Sequence, residues 1–344
     1  MRRLVLTLIG LLVVGGCLAA GTLYRRTTQP FKGYAGAEQF VDIERGSGSR
    51  AIGQQLVDAG VVRDPITFRA ALWRTGLARQ LEAGEYRFAS PMTPLAVVEK
   101  LARGETYVRL VTFPESLTIP EMAAIFEEQG WGSAAAFVDA AHDASAVGQM
   151  DPDARDLEGY LFPETYALPR RTTAVRLVHL MVKRFEEIFT DDLRREAMIR
   201  GLTIRQAVTL ASLIEKETAR PEERPIVAAV YLNRLKLGMV LQCDPTVIYA
   251  LRQTGRYRGN LTRADLTFDS PYNTYRYPGL PPGPIAAPGL ASLQAAVRPG
   301  QVDYLYFVSR NDGSHVFART LAEHNENVRR FQVLYFRERR LKGH

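Results

Sequence analysis

"LTIRQAVTLASLIEKET", residues 202–218, decides how the chain is read. Thr203 can cap a helix here, with Gln206 three residues later completing a capping box. At about 100° per residue, Ile204, Ala207, Val208, Ala211 and Ile214 fall on one arc that faces a core. Glu215 lies inside that arc, whereas Lys216 points away from it and Glu217 sits near its far edge. A carboxylate among aliphatic positions has two explanations. It pairs with an arginine, or the apolar setting raises its pKa and keeps it protonated. Lifting a glutamate from about 4.3 to about 6 needs roughly 2.3 kcal/mol of bias against the charged form, which a half-buried aliphatic pocket can supply.

Around this helix the chain has room for two domains, with 344 residues of which 46% are hydrophobic. Residues 4–24, "LVLTLIGLLVVGGCLAAGTLY", are almost wholly apolar and as a helix would span about 30 Å, one bilayer. Arg2 and Arg3 precede the run and favour a cytoplasmic N-terminus with the remainder exported. "VVGGC" up to Cys17 weakly resembles a lipoprotein processing site. The run continues through Tyr24, longer than an ordinary signal segment, which favours an uncleaved anchor.

Cys243 is then the one cysteine of the exported part, so no intramolecular disulfide is available there. His142, His179, His315, His324 and His344 show no close-spaced ligand pattern, so neither a metal nor another cofactor is expected. The formal net charge is +7, with the basic residues dispersed apart from the tail "VRRFQVLYFRERRLKGH". For an exported chain that charge suits anionic lipid or cell-wall polymer rather than nucleic acid.

The periodicities predict an α+β chain in successive parts. Residues 1–3 form a cytoplasmic tip, 4–24 a transmembrane helix and 25–37 a linker. A small unit over 38–112 follows, with strands at "FVDIERG", "AGEYRF" and "YVRLVTF" around three short helices. That pattern suits a LysM-like carbohydrate-binding subdomain. Residues 113–344 read as a mainly helical catalytic domain that closes with a β-hairpin around "RNDG" and a final helix from about Thr320 to Leu341. In this domain Asp244 would cap the helix that begins at Pro245. "SPYNTYRYPGLPPGPIAAPG", residues 270–289, is a stiff irregular loop whose tyrosines offer flat faces to sugar rings. "LEGYLFPETY", residues 157–166, interleaves Glu158 and Glu164 with aromatic residues. Together these stretches suggest a groove lined by aromatics, amides and carboxylates.

Those two stretches, with "ASLIEKET", "VYLNRLKLGMVLQCDPTVIYAL" and "HVFARTLAEHNENV", closely resemble the endolytic murein transglycosylases, the YceG-like family. The resemblance covers nearly the whole chain in order and spacing. Ser116 stands where the family tends to have glycine, Cys243 where a hydroxyl residue is common, and Ala287 where asparagine is usual. The resemblance implies a single-pass inner-membrane protein whose periplasmic domain is a peptidoglycan lytic transglycosylase, a carbon–oxygen lyase acting on polysaccharide. It would cut glycan strands between N-acetylmuramic acid and N-acetylglucosamine without water, leaving 1,6-anhydro ends and ending or trimming nascent strands during cell-wall elongation. Peptidoglycan synthases of the elongation machinery would be its protein partners.

With the sugar's own C6 hydroxyl as nucleophile, one glutamate can serve as acid and then base, where an ordinary glycosidase needs two carboxylates. The resemblance assigns that role to Glu215 and groove roles to Glu158, Glu164, Asn233, Gln242, Asp244, Asn273 and Tyr275. Glu217 would pair with Arg220 at helical spacing. A catalytically silent, membrane-tethered peptidoglycan-binding scaffold and a hydrolytic muramidase are the competing readings.

Overall fold

The computed structural model describes residues 2–341. Met1 of the expected tip and the last three residues of the basic tail, 342–344, lie outside them. The chain is a helix-rich α+β protein that divides into two compact units, Met1–Leu110 with Ala167–Arg171, and Val111–Tyr166 with Thr172–His344.

The first unit opens with α1 (Arg2–Thr28), whose stretch Leu6–Thr28 is 23 residues long with a mean hydropathy of 2.2, long and apolar enough to cross a membrane. The helix runs past Tyr24 to Thr28, and the rest of the segment expected as a linker makes contacts within the unit. Phe31 bridges to Met92, and Gly33 N–H donates to Gly60 O at 2.8 Å. β1 (Gln39–Ile43) and β2 (Gly84–Phe88) pair antiparallel around α2 (Ser49–Asp58) and α3 (Pro65–Thr75), and α4 (Pro94–Ala102) follows. Val41, Ile43, Leu56, Phe68, Tyr86, Phe88 and Val98 form the centre of its core. Asp64 and Thr93 cap α3 and α4 through the backbone N–H groups of Thr67 and Ala96.

The strand expected to close this unit, β3 (Arg109–Thr112), pairs instead with β4 (Thr165–Leu168). The Thr112 and Thr165 hydroxyls meet at 2.8 Å, and Phe113 N–H donates to Glu164 O at 3.0 Å. Only one side chain of β3, Val111, is buried, so hydrophobic pattern places little constraint on its partner.

The second unit is helical. It runs through α5 (Ile119–Glu128), α6 (Ala134–Ala141), α7 (Ala174–Ile188), α8 (Asp191–Ile199), α9 (Ile204–Glu217), α10 (Arg224–Lys236), α11 (Asp244–Gln253) and α12 (Leu290–Val297). The hairpin of β5 (Tyr306–Ser309) and β6 (His315–Ala318) comes next, then α13 (Leu321–Val328), a π-helical turn over Arg329–Leu334, and α14 (Tyr335–Leu341). The capping box of α9 is formed as its sequence predicts, with Thr203 Oγ1 accepting from Gln206 N and Gln206 Oε1 accepting from Thr203 N. Yet every residue from Ala207 to Glu215 is buried, because α8, α10, α11 and α12 all pack around this helix. A helix covered on all sides has no single core-facing arc.

"LEGYLFPETY" is largely interior, with Leu157, Glu158, Tyr160, Leu161 and Phe162 buried. Gly159 locks it to the proline-rich loop. Its φ is 82°, and a β-carbon there would lie 2.4 Å from Pro284 Cβ. Gly159→Ala is therefore expected to cost about 2–4 kcal/mol, from left-handed strain plus overpacking. Chemical denaturation checks this, and an unchanged midpoint would show that the loop yields.

Candidate active site

The two glutamates at the end of α9 lie in different surroundings. Glu215 is ion-paired. Its Oε1 is 3.0 Å from Arg224 Nη2, the side chains are 4% and 8% exposed, and Oε2 accepts from Gly289 N–H at 3.0 Å. Arg224, the first residue of α10, also reaches Glu115 at 3.4 Å. Burial pushes the Glu215 pKa up, while the Gly289 N–H and the Arg224 guanidinium pull it back. Both explanations offered by the sequence thus operate on one carboxyl, and its oxygens are engaged by the protein.

Glu217 is partly exposed. It accepts from Tyr231 Oη at 3.0 Å and lies 3.7 Å from Cys243 Sγ. The expected pairing with Arg220 is absent. The helix ends at Thr218, and Arg220 turns instead to the Gly313 and Asp312 carbonyls. Desolvation pushes the Glu217 pKa up, and Asp244 adds to the rise. The Tyr231 hydroxyl and His315 oppose it, and the Arg234 guanidinium in the same cleft also attracts the Glu217 charge, although among the described residues no guanidinium hydrogen-bonds this carboxylate.

Glu217 opens onto a cleft of about 390 Å³. Arg234, Gln242, Asp244 and Tyr275 line it from one side, and Phe307, Ser309 and His315 line it from the hairpin. Each wall has a local cause. Arg234 on α10 donates to the carbonyls of Leu305 (2.6 Å) and Leu241 (2.8 Å) and so ties the hairpin to the segment before α11. Gln242 adopts φ 53°, its N–H bonded to Thr274 O. Asp244 is not the N-cap of α11; that position is Cys243, and no side chain caps it. Asp244 instead accepts from Tyr275 Oη at 2.5 Å. His315 is held by the buried Glu223, its Nδ1 2.7 Å from Glu223 Oε2.

Of the residues singled out in the sequence, Gln242, Asp244 and Tyr275 thus share one cleft with Glu217. The others do different work. Asn233 Nδ2 donates to Val302 O and Tyr304 O, and Asn273 Nδ2 donates to Leu266 O and Phe268 O, so both brace loops. Glu164 forms a forked pair with Arg184 at 2.7 and 3.0 Å. Glu158 borders two other clefts, one with Arg205 and Tyr272, the other with Tyr249 and Arg252. It accepts from Ile119 N–H and Tyr249 Oη, and burial pushes its pKa up to about 8.

Sequence reasoning missed Arg234, Tyr231 and His315. An arginine seven residues after the buried Val227 and Tyr231 four residues after it were the available signals on α10. Ser116, where the resemblance anticipates glycine, has φ 73°, and its carbonyl accepts from Lys216 Nζ at 3.0 Å.

A family model described as YceG-like family matches residues 41–330. The chain is 31% identical over 331 residues to the endolytic murein transglycosylase of Bacillus subtilis (strain 168), covering 92% of this chain and 90% of that protein. It is 30% identical over 320 residues to the protein of the same name from Streptococcus pneumoniae serotype 2 (strain D39 / NCTC 7466), spanning 84% of this chain and 57% of that longer relative. The 2.6 Å crystal structure of a yceG-like protein from Listeria monocytogenes superposes with a TM-score of 0.58 at 32% identity, over 84% of this chain and 98% of that one.

Glu158 generates a pH prediction. Its folded pKa lies above the reference carboxyl value of 4.5, so the protonated form is the one that folding favours. Its contribution is fully present below about 4.5 and is lost as pH rises toward about 8. Glu158→Gln is expected to flatten the fall in melting temperature across that window. Parallel curves for the two proteins would mean that Glu158 does not set the slope.

Proposed function

The chain belongs to the YceG-like family, a family of lytic transglycosylases, and from that premise we propose that it is a membrane-anchored endolytic murein transglycosylase. α1 is the single-pass inner-membrane anchor, and the remainder is periplasmic. Residues 38–112 form a LysM-like subdomain that holds glycan, residues 113–344 do the chemistry, and 25–37 connect anchor to subdomain. The substrate is a peptidoglycan glycan strand, cut between N-acetylmuramic acid and N-acetylglucosamine. The work ends or trims nascent strands beside the synthases of the elongation machinery.

The observation that carries the mechanism is the placement of Glu217 in an accessible cleft with a raised pKa, its carboxylate hydrogen-bonded by the Tyr231 hydroxyl and not by a guanidinium, with Arg234 acting on it only through its charge. These features support Glu217 as the acid, in place of Glu215, whose oxygens are taken by Arg224 and Gly289. Glu217 gives its proton to the glycosidic oxygen as the bond from C1 breaks. The C6 hydroxyl oxygen then bonds to C1, its proton passes to the Glu217 carboxylate, and the acid is restored with no water consumed. Tyr231 donates a hydrogen bond that steadies the transient carboxylate. Asp244 and Tyr275, joined to each other, and Gln242 contact the sugars on the opposite wall.

A muramidase is the second reading, favoured by the presence of Asp244 as a second carboxylate in the cleft. Product mass separates the two readings, since an anhydro end is one water lighter than a reducing end.

Glu217→Gln is expected to lower turnover on purified peptidoglycan by ~10²–10⁴-fold, with the melting temperature unchanged or raised. Glu215→Gln is expected to cost about 2 kcal/mol of stability by weakening a charged hydrogen bond, while the folded enzyme still cuts. The reverse pattern would return the acid to Glu215. Persistent activity in both variants would move the search to Glu158 and Glu164.

A further inference from the structure

Trp73 on α3 is 87% exposed, and Ile66 on the same helix is 60% exposed. Seven positions apart, they fall about 20° from one another around the helix, and the exposed Arg69 shares their face. The opposite face of α3, with Thr67, Phe68, Ala71 and Leu72, fills the core of the first unit. Core packing therefore leaves Trp73 unexplained.

The end of α1 is pinned to this helix at two points. Arg26 pairs at 3.7 Å with Asp64, the N-cap of α3. Toward the other end of α3, the Arg74 guanidinium lies 4.6 Å from the Tyr24 ring centroid, and its Nη1 donates to Thr27 Oγ1 at 3.4 Å. α3 thus lies across the last turn of α1, where the apolar run gives way to Tyr24, Arg25 and Arg26, the residue types that mark a membrane–water interface. α3 itself contains no acidic residue. Arg63, Arg69 and Arg74 are exposed on it or just before it.

We propose that the Ile66–Arg69–Trp73 face docks into the headgroup layer of the bilayer that α1 crosses. It would hold the first unit against an anionic lipid surface instead of letting it swing on a tether. The proposal rests on the reading of α1 as a membrane anchor. The geometry favours lipid over sugar as the occupant, because Arg74 and Tyr24 fix this face at the level where the apolar span ends. Trp and Ile would enter the boundary between headgroups and acyl chains, while the arginines meet lipid phosphates.

The test uses the full chain in vesicles of mixed zwitterionic and anionic lipid. Trp131→Phe leaves Trp73 as the one tryptophan of the two in the sequence. Cys17 is exposed and Cys243 buried, so an environment-sensitive fluorophore can be placed on Cys17 in the folded protein. With the Cys17 probe reporting hydrocarbon, bromines high on the acyl chains are expected to reduce Trp73 emission roughly twofold or more and to shift it to shorter wavelength. A hydrocarbon-embedded Cys17 probe beside a Trp73 that only aqueous acrylamide quenches would overturn the proposal. So would a Trp73 signal that answers peptidoglycan fragments and ignores brominated lipid, since the face would then be a sugar platform. A Cys17 probe reporting water would instead show that α1 is not inserted, and the docking would fall with the anchor reading.

Discussion

A buried ion pair at the end of α9 ties that helix to α10 and to the proline-rich loop, next to the cleft that Glu217 enters. Glu215 and Arg224 meet where the end of α9 faces the start of α10, and Gly289 N–H completes the carboxylate's coordination from the proline-rich loop. Two consecutive helices and a loop more than seventy residues further on therefore converge on one carboxyl. Burying two charges is costly, and the pair offsets that cost through the Arg224 Nη2 contacts to Glu215 and Glu115 and the Gly289 N–H on the carboxylate, although Arg224 Nε is buried without a partner. A β-carbon at Gly289 would meet the Glu115 carboxylate, so a larger residue there would displace the Glu115 side chain, which also reaches Arg224. The pair joins the end of α9 to the start of α10 two residues before Glu217, and the chain turns extended at Thr218.

Two positions further along, the same helix presents a carboxyl of opposite character. Both glutamates have pKa values raised by burial, so desolvation alone does not distinguish them. What does is the neighbour. A guanidinium at 3.0 Å stabilises the anion of Glu215 directly, whereas Glu217 is hydrogen-bonded by a neutral hydroxyl, with the repulsion of Asp244 set against the attraction of His315 and Arg234. A general acid must hold its proton until substrate arrives, and it must be reachable. Glu217 is the reachable one of the two, because it is the last residue of the helix and only partly buried, and its pKa is shifted in the direction that a general acid needs.

Local signals made much of the fold legible in the sequence. The capping box at Thr203 and the "RNDG" hairpin depend on residues a few positions apart, and the helices of the small unit announce themselves by caps and prolines. The site was less legible because its determinants are not local. Phasing selected Glu215 on the assumption of one buried face, and α9 has none to select once four helices surround it. Asn233, Asn273 and Glu164 belong to the motifs of the family, yet their polar atoms are spent on loop carbonyls or Arg184, which no spacing reveals. The pairing of β3 with β4 across more than fifty residues is invisible for the same reason.

The two walls of the cleft are tied together by a buried cation. Arg234 is buried, and burial lowers its pKa, so its charge has to be compensated. It is compensated by carbonyl dipoles from Val240, Leu241 and Leu305, with the Gln242 side-chain oxygen as a further acceptor. Those carbonyls belong to the two walls of the cleft, so moving either wall would strip an acceptor from a buried charge. Asn233, one residue earlier on α10, binds the approach to the hairpin through Val302 and Tyr304. The width of the cleft is therefore set by α10 and not by the loops that line it. Irregular segments rich in proline and glycine can then present Tyr275 and Asp244 to a ligand at fixed distance from Glu217, because the helix behind them supplies the order that their own backbones lack.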